Sequence, residues 1–240
     1  MEVGAGVSGR LREITATDLS EGDASETDLF FALSPALLTL SSTQNEGVVA
    51  IQALAADVIT HHLENGHRGL AVCGPGRGIG TTFIAVNLAV ALSQAGVATM
   101  LIDANLHNPG VQQLFRPSHD LPGLQQLLRE EAVDRTAVEQ VNILPNLSII
   151  FSGGAAADAS ELIAGAAFKR LIEACLRDYA FTIIDAPAAN RTSDALAIAN
   201  AVGHGLIVTR RDKTYVDDAD TLSRELADDG VRVLGALVNG

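Results

Sequence analysis

Apolar residues recur along this chain in two alternating patterns, short continuous runs and helical spacings. Val48 to Leu63 carries them at helical spacing, and Asn65-Gly66 supplies a C-terminal stop signal. Beyond that stop the chain predicts strand Gly69–Cys73, a glycine loop, helix Thr82–Ala95, a stop at Gly96 and strand Ala98–Asp103. Helical segments are expected around Val111–Phe115 and Gly123–Arg129, followed by strand Leu147–Phe151, helix Ser160–Leu176 and strand Phe181–Asp185. Helix Ser193–Ala201, strand Gly205–Val208, helix Val216–Asp228 and strand Val231–Val238 complete the series. Apolar strands alternating with helices imply a mostly parallel central sheet covered on both faces, a three-layer α/β/α domain.

The opening of the chain reads differently. Residues 1–33 are rich in Gly, Ser, Thr, Asp and Glu, with little apolar periodicity before Phe30-Phe31, and read as a flexible arm. Ser34-Pro35 then leads into Leu37-Leu38-Thr39-Leu40, a short extended segment, so the domain is expected over 34–240. No internal repeat divides it.

Composition narrows the function. With 48% apolar residues among 240, the chain can fill one sizeable core. A formal net charge of -13 argues against sequence-independent nucleic-acid binding and against docking to anionic lipid. No apolar run reaches the roughly 20 residues needed to span a bilayer, and no charged n-region with an apolar h-region opens the chain. A cytoplasmic protein is expected, reaching the inner membrane only through a partner. Cys73 and Cys175 are too few for a disulfide framework and read as small buried hydrophobes.

The candidate chemistry sits between the first strand and its helix. Cys73-Gly74-Pro75-Gly76-Arg77-Gly78-Ile79-Gly80-Thr81-Thr82 has the shape of a phosphate-binding loop, in which glycines let backbone N–H groups converge on a phosphate. Gly78 and Gly80 are placed for the turn and Thr82 for Mg²⁺. Thr81, however, occupies the lysine position. The chain's lysines are Lys169 and Lys213, both far downstream, and only folding could bring either near the loop. Asp103 and Asp185 each end an apolar strand, where carboxylates could face the loop and hold Mg²⁺.

These elements resemble the cytoplasmic domain of bacterial tyrosine kinases that regulate capsule and exopolysaccharide synthesis, a P-loop group related to MinD and ParA ATPases. The resemblance runs collinearly from about Leu37 to Gly240. It rests on Asn87-Leu88-Ala89, Leu101-Ile102-Asp103-Ala104-Asn105-Leu106-His107-Asn108-Pro109, Gly123-Leu124-Gln125-Gln126-Leu127-Leu128, Glu161-Leu162-Ile163, Ile183-Ile184-Asp185-Ala186-Pro187, Ser193-Asp194-Ala195 and Leu234-Gly235-Ala236-Leu237-Val238-Asn239-Gly240. It implies ATP or ADP with Mg²⁺ as cofactors, held by Gly78, Gly80, Thr81, Thr82 and Asn239, with Thr82, Asp103 and Asp185 at the metal. Asp103 and Asp185 would be catalytic in an active member and vestigial in an inactive one.

Departures from the family pattern point to a degenerate member. Thr81 replaces the lysine, Asn105 the second acid of the acid-x-acid element, and His107 the arginine that follows. The Glu-x-x-Arg-x-x-Arg helix that joins subunits into a ring would fall on Val49, Gln52 and Ala55, so a monomer or dimer is expected rather than a ring. The substrate tyrosine cluster of such kinases would follow the final strand, whereas this sequence has Tyr179 and Tyr215 alone. The expected function is regulation of exopolysaccharide synthesis or export by binding an inner-membrane polysaccharide co-polymerase, without kinase activity. One alternative is an active ATP-dependent tyrosine kinase or ATPase in which Arg77 or Arg191 substitutes for the lysine. Another is a MinD- or ParA-like partitioning ATPase, in which a further lysine would fall at Gly76. His61-His62 read as favourable charges at a helix C-terminus, and His107, His119 and His204 lack ligand spacing. Arg210-Arg211 read as surface charges, with a place on the purine side of the site as the alternative.

Overall fold

The structure, a computed structural model, describes residues 30–40, 46–130 and 133–240. The expected arm falls largely on 1–29, outside the described residues. Seven strands form one sheet in the order β3-β4-β2-β5-β1-β6-β7. They are β1 Gly69–Gly74, β2 Thr99–Asp103, β3 Glu139–Leu144, β4 Leu147–Ile150, β5 Phe181–Ala188, β6 His204–Arg210 and β7 Arg232–Asn239. Every neighbouring pair is parallel except β3 with β4.

Nine α-helices cover the faces and the ends of this sheet among the described residues. They are α1 Glu46–Val58, α2 Thr81–Gln94, α3 Val111–Phe115, α4 Leu124–Arg129, α5 Arg135–Val138, α6 Ala159–Ala164, α7 Ala166–Asp178, α8 Asp194–Val202 and α9 Val216–Asp228. Residues of α1, α2 and α3 share one core with Leu70, Val72, Leu101 and Ile183. Residues of α6 to α9 share the other with Ala71, Met100, Ile102, Ile184 and Ile207. Alternate residues of each central strand thus enter opposite cores, as the pleat requires.

Helix α2 is buried from Ile84 to Ser93, so it is apolar on nearly all sides. By contrast α7 buries Phe168, Leu171, Ile172 and Cys175, a single stripe at helical spacing. Burial holds the thiols of Cys73 and Cys175 up at about 12, as expected for inert small hydrophobes.

Several elements depart from the sequence reading. Leu38–Leu40 is a 3₁₀ turn instead of an extended segment. The single helix expected over Ser160–Leu176 is two, because Gly165 takes extended backbone between α6 and α7. The α5–β3 unit was not anticipated: Glu139-Gln140-Val141-Asn142 lacks an apolar run, and the ladder is broken near Asn142, whose φ is 54°. Of residues 30–33, read as part of the arm, Phe31 and Leu33 pack against the core. Phe31 is buried and stacks on Phe151 with ring centroids 6.0 Å apart, and Ala32 and Ser34 donate backbone hydrogen bonds to Arg116 and Leu114. Among the described residues no helix is long and apolar enough to cross a membrane.

At the amino ends of the strands, folding gathers histidines that sequence spacing separates. His67 and His204 have ring centroids 4.3 Å apart, and His62 lies 6.0 and 5.8 Å from them. His62 belongs to a wide π turn, Ile59–Leu63, that ends the first helix, and it is buried, which disfavours the charged form expected of it at the helix end. No group of three or more His, Cys, Asp or Glu among the described residues is arranged to hold a metal. Burial lowers the pKa of His62 and of His204; the neighbouring histidines and Arg232 lower both further, while Asp57 opposes the shift at His62 and the Val202 backbone opposes it at His204. The fold therefore favours neutral rings, and below about pH 6.5 the unfolded chain binds more protons. His204→Asn is expected to lose less melting temperature than the parent protein between pH 7.5 and 5.5, in paired thermal scans.

Candidate functional site

The site lies at the carboxyl ends of the parallel strands, where β1 runs through the glycine loop into α2. Gly78 and Gly80 have φ of 66° and 95°, left-handed values that favour glycine, so the loop turns where the sequence placed its turn. Thr81 opens α2, and its neutral side chain lines the cleft in the lysine position. Thr82 Oγ1 donates to Asp185 Oδ2 at 2.6 Å. This bond joins a hydroxyl and a carboxylate that could share one divalent cation.

Asp103 and Asp185 are register neighbours on β2 and β5, and both are fully buried. Asp103 accepts backbone N–H bonds from Asn105, Gly110 and Val111 at 3.3, 3.2 and 3.1 Å. Burial nevertheless outweighs these bonds and pushes its pKa up to about 6. Asp185 is raised well above the ordinary carboxylate range, by burial first and by the Asp103 charge second, against a lowering by Thr82. Its Oδ1 is buried with no hydrogen-bond partner among the described residues. An orphaned carboxylate oxygen beside a threonine hydroxyl is a donor set suited to Mg²⁺, which takes oxygen ligands.

A cleft of about 760 Å³ opens in front of these groups. Its lining includes Arg77, Thr81, Thr82, Asn105, His107 and Arg191. Its size and glycine loop suit a nucleoside phosphate, with backbone N–H groups and the α2 N-terminus as anion donors. Mg²⁺, when bound, would neutralise phosphate charge there. Among the described residues neither Arg77 nor Arg191 has a carboxylate partner, so both guanidinium groups stand at the cleft unpaired.

Asn105 Oδ1 accepts the Asn108 N–H at 3.2 Å, so this amide caps its own turn where the family pattern has an acid. His107 Nε2 lies 2.7 Å from Asp194 Oδ2, and Asp194 is buried at the start of α8. The sequence reading found His107 as a departure but missed this pairing, because the partners lie 87 residues apart. Asn87 is fully buried in α2. Its side chain accepts the Leu38 N–H at 2.7 Å and donates to the Ala36 and Phe83 carbonyls, fastening α2 to the segment before α1.

Asn239 does not line the cleft; its Nδ2 donates to the Ile79 carbonyl at 2.9 Å from behind the loop. Lys213 also reaches the loop, its Nζ donating to the Gly78 carbonyl at 3.0 Å, and Arg210 donates to the same oxygen at 3.1 Å. Arg210 is thus the exposed surface charge expected, and it is also bonded to the loop. On α1, Val49 and Gln52 face solvent while Ala55 is buried.

No protein-family model matches the chain. It is 28% identical over 205 residues to the tyrosine-protein kinase Ptk of Acinetobacter johnsonii, covering 84% of this chain and 28% of that protein. It is 28% identical over 170 residues to the tyrosine-protein kinase CpsD of Streptococcus agalactiae, covering 71% of this chain and 73% of that one. The kinase domain of Escherichia coli tyrosine kinase Etk superposes with a TM-score of 0.77 at 24% identity, over 85% of this chain and 79% of the other. The cell division ATPase MinD of Pyrococcus furiosus superposes with a TM-score of 0.61 at 18% identity, over 72% of each chain. The curated homologues are thus bacterial tyrosine-protein kinases by name, and the fold is the P-loop fold that such kinase domains share with MinD. The chain spans little more than a quarter of the Acinetobacter protein.

Proposed function

We propose that this relative of the bacterial tyrosine-protein kinases serves capsule or exopolysaccharide production as a kinase-like docking subunit. It binds the cytoplasmic part of an inner-membrane polysaccharide co-polymerase and regulates export or chain length by binding, without phosphorylating tyrosine. The observation that carries this reading is the pairing of Thr81 with Asn105 in one cleft. Tyrosine phosphorylation needs a group that takes the hydroxyl proton and a cation that stabilises charge on the transferred phosphoryl. An amide accepting an N–H bond within its own turn cannot take a proton, and a threonine supplies no charge. Two buried cores still flank the sheet behind this altered centre, which supports a binding role. The exposed Val49 and Gln52, on the helix whose charges join ring-forming relatives, favour a monomer or dimer.

The test is affinity capture with cytoplasmic segments of the co-polymerase of the same organism, using the parent chain and Asp185→Asn. Equal retention of both proteins is expected. Absence of binding, or binding that requires Asp185 and ATP, contradicts the docking reading.

A second reading is favoured by the two unpaired arginines of the cleft. In it the chain is an ATP-dependent enzyme, Arg77 or Arg191 contacts the phosphates in place of lysine, and replacing that arginine abolishes turnover.

A further inference from the structure

The phosphate loop of this protein is gripped from behind by three side-chain donors, and two of them are cationic. Lys213 Nζ and Arg210 Nη1 share the Gly78 carbonyl, while Asn239 Nδ2 takes the Ile79 carbonyl. The contacts are close: a Cβ placed on Gly78 would lie 2.7 Å from Lys213 Nζ, and one on Gly80 would lie 2.1 Å from Asn239 Nδ2. Gly78 and Gly80 thus meet a second requirement besides their positive φ, since a side chain at either would displace a donor.

The segment that carries the cations is itself built. After β6, Asp212 takes a left-handed φ of 59°. Lys213 and Thr214 donate backbone N–H bonds to the Arg210 carbonyl, and Thr214 Oγ1 accepts the Arg210 N–H at 3.0 Å. Neither Arg210 nor Lys213 has a carboxylate partner among the described residues, in a chain with a net charge of -13. Two cations on one carbonyl oxygen repel each other, so the arrangement needs a compensating anion or a polarised acceptor.

Each gripped carbonyl belongs to a peptide unit whose other end is an N–H of the loop. The Gly78 carbonyl shares its peptide with the Ile79 N–H, and the Ile79 carbonyl shares its peptide with the Gly80 N–H. A donor on the oxygen polarises the whole unit and strengthens the N–H as a donor. Successive N–H groups of such a loop are the ones that cradle a phosphate.

We propose that Lys213, assisted by Arg210, is a phosphate-positioning cation of this protein, acting through the Gly78 peptide in place of the lysine absent at Thr81. The ligand class is a nucleoside di- or triphosphate, whose phosphates feel the two charges and the polarised N–H groups. Arg77 and Arg191 also line the cleft in front of the loop. This inference goes beyond the docking reading and does not depend on it.

Calorimetric titration with Mg-ADP and with adenosine, at two salt concentrations, tests the assignment on the full chain and on Lys213→Met, Lys213→Arg and Thr81→Lys/Lys213→Met. Lys213 is exposed, so the variants should fold, and their unfolding temperatures check this directly. Lys213→Met loses its bond to the Gly78 carbonyl in free and bound protein alike, so the loss of the cation's field and of the polarisation of the Ile79 N–H predicts ADP binding weakened several-fold. Adenosine binding stays unchanged, the salt dependence of ADP binding becomes shallower, Lys213→Arg keeps most of the affinity, and Thr81→Lys restores it. Equal weakening for ADP and adenosine would reduce Lys213 to a structural brace and overturn the proposal. So would unchanged ADP binding in Lys213→Met, or no ADP binding by the parent chain; either leaves the docking reading untouched.

Discussion

Asp185→Asn is expected to raise the stability of the ligand-free protein at neutral pH while removing the Mg²⁺ dependence of any nucleotide binding. Asp185 is fully buried, one of its oxygens lacks a partner among the described residues, and the Asp103 carboxylate is its register neighbour. Its folded pKa lies well above the ordinary value, and that of Asp103 is about 6. A carboxyl whose folded pKa is raised contributes full stability below its unfolded pKa, near 3.9, and loses it as pH rises through the folded value. At pH 7.5 the pair thus opposes folding. An asparagine carries no charge to desolvate, and its carbonyl can still accept from Thr82. Relief of a buried, poorly compensated carboxylate predicts a gain of about 1–3 kcal/mol. Thermal unfolding should show the variant several degrees higher at pH 7.5 and close to the parent at pH 4.5. A variant less stable than the parent at pH 7.5 would mean that Asp185 is structural and already compensated.

Thr81→Lys carries the second large effect. The position opens α2 beside the left-handed Gly80 and lines the cleft, so a lysine there reaches toward the phosphates. A restored charge-assisted bond is worth about 1.5–3 kcal/mol, roughly ten- to hundredfold in ATP or ADP affinity. Calorimetry reads this directly. Affinity is all that should return: Asn105 still accepts the Asn108 N–H and still cannot take a proton. Phosphotransfer therefore requires Asn105→Asp as well, and the single variant should bind tightly without turning over. No change in affinity would show that the loop does not present position 81 to the phosphates.

The central strands were readable because a parallel strand buried on both faces is a continuous apolar run, as in Met100-Leu101-Ile102 and Ile183-Ile184. Strand β3 was not readable, since its Glu139-Gln140-Val141-Asn142 start is polar and irregular, and its burial comes from the Arg135–Glu139 ion pair and from packing at the sheet edge. Gly165 marked the break between α6 and α7, but the apolar spacing on both sides concealed it. Of the site, the glycine loop, Thr82, Asp103 and Asp185 were legible from local pattern and strand ends. Three features were not, because each joins residues distant in sequence: His107 with Asp194, the three-histidine cluster, and Lys213 and Arg210 at Gly78, which are 135 and 132 residues from it. Lys213 shows this most plainly. Composition identified it as one of two lysines, and only the crossover from β6 to α9 brings it to the loop.

The most direct test of the account is a phosphotransfer assay. The purified chain is incubated with Mg-ATP and the cytoplasmic segment of the proposed co-polymerase partner, and phosphotyrosine is measured on both proteins beside an Asp185→Asn control. The account predicts no phosphotyrosine above that control. Phosphotyrosine that forms with the parent chain and disappears in Asp185→Asn would contradict it, and would make the protein a working kinase.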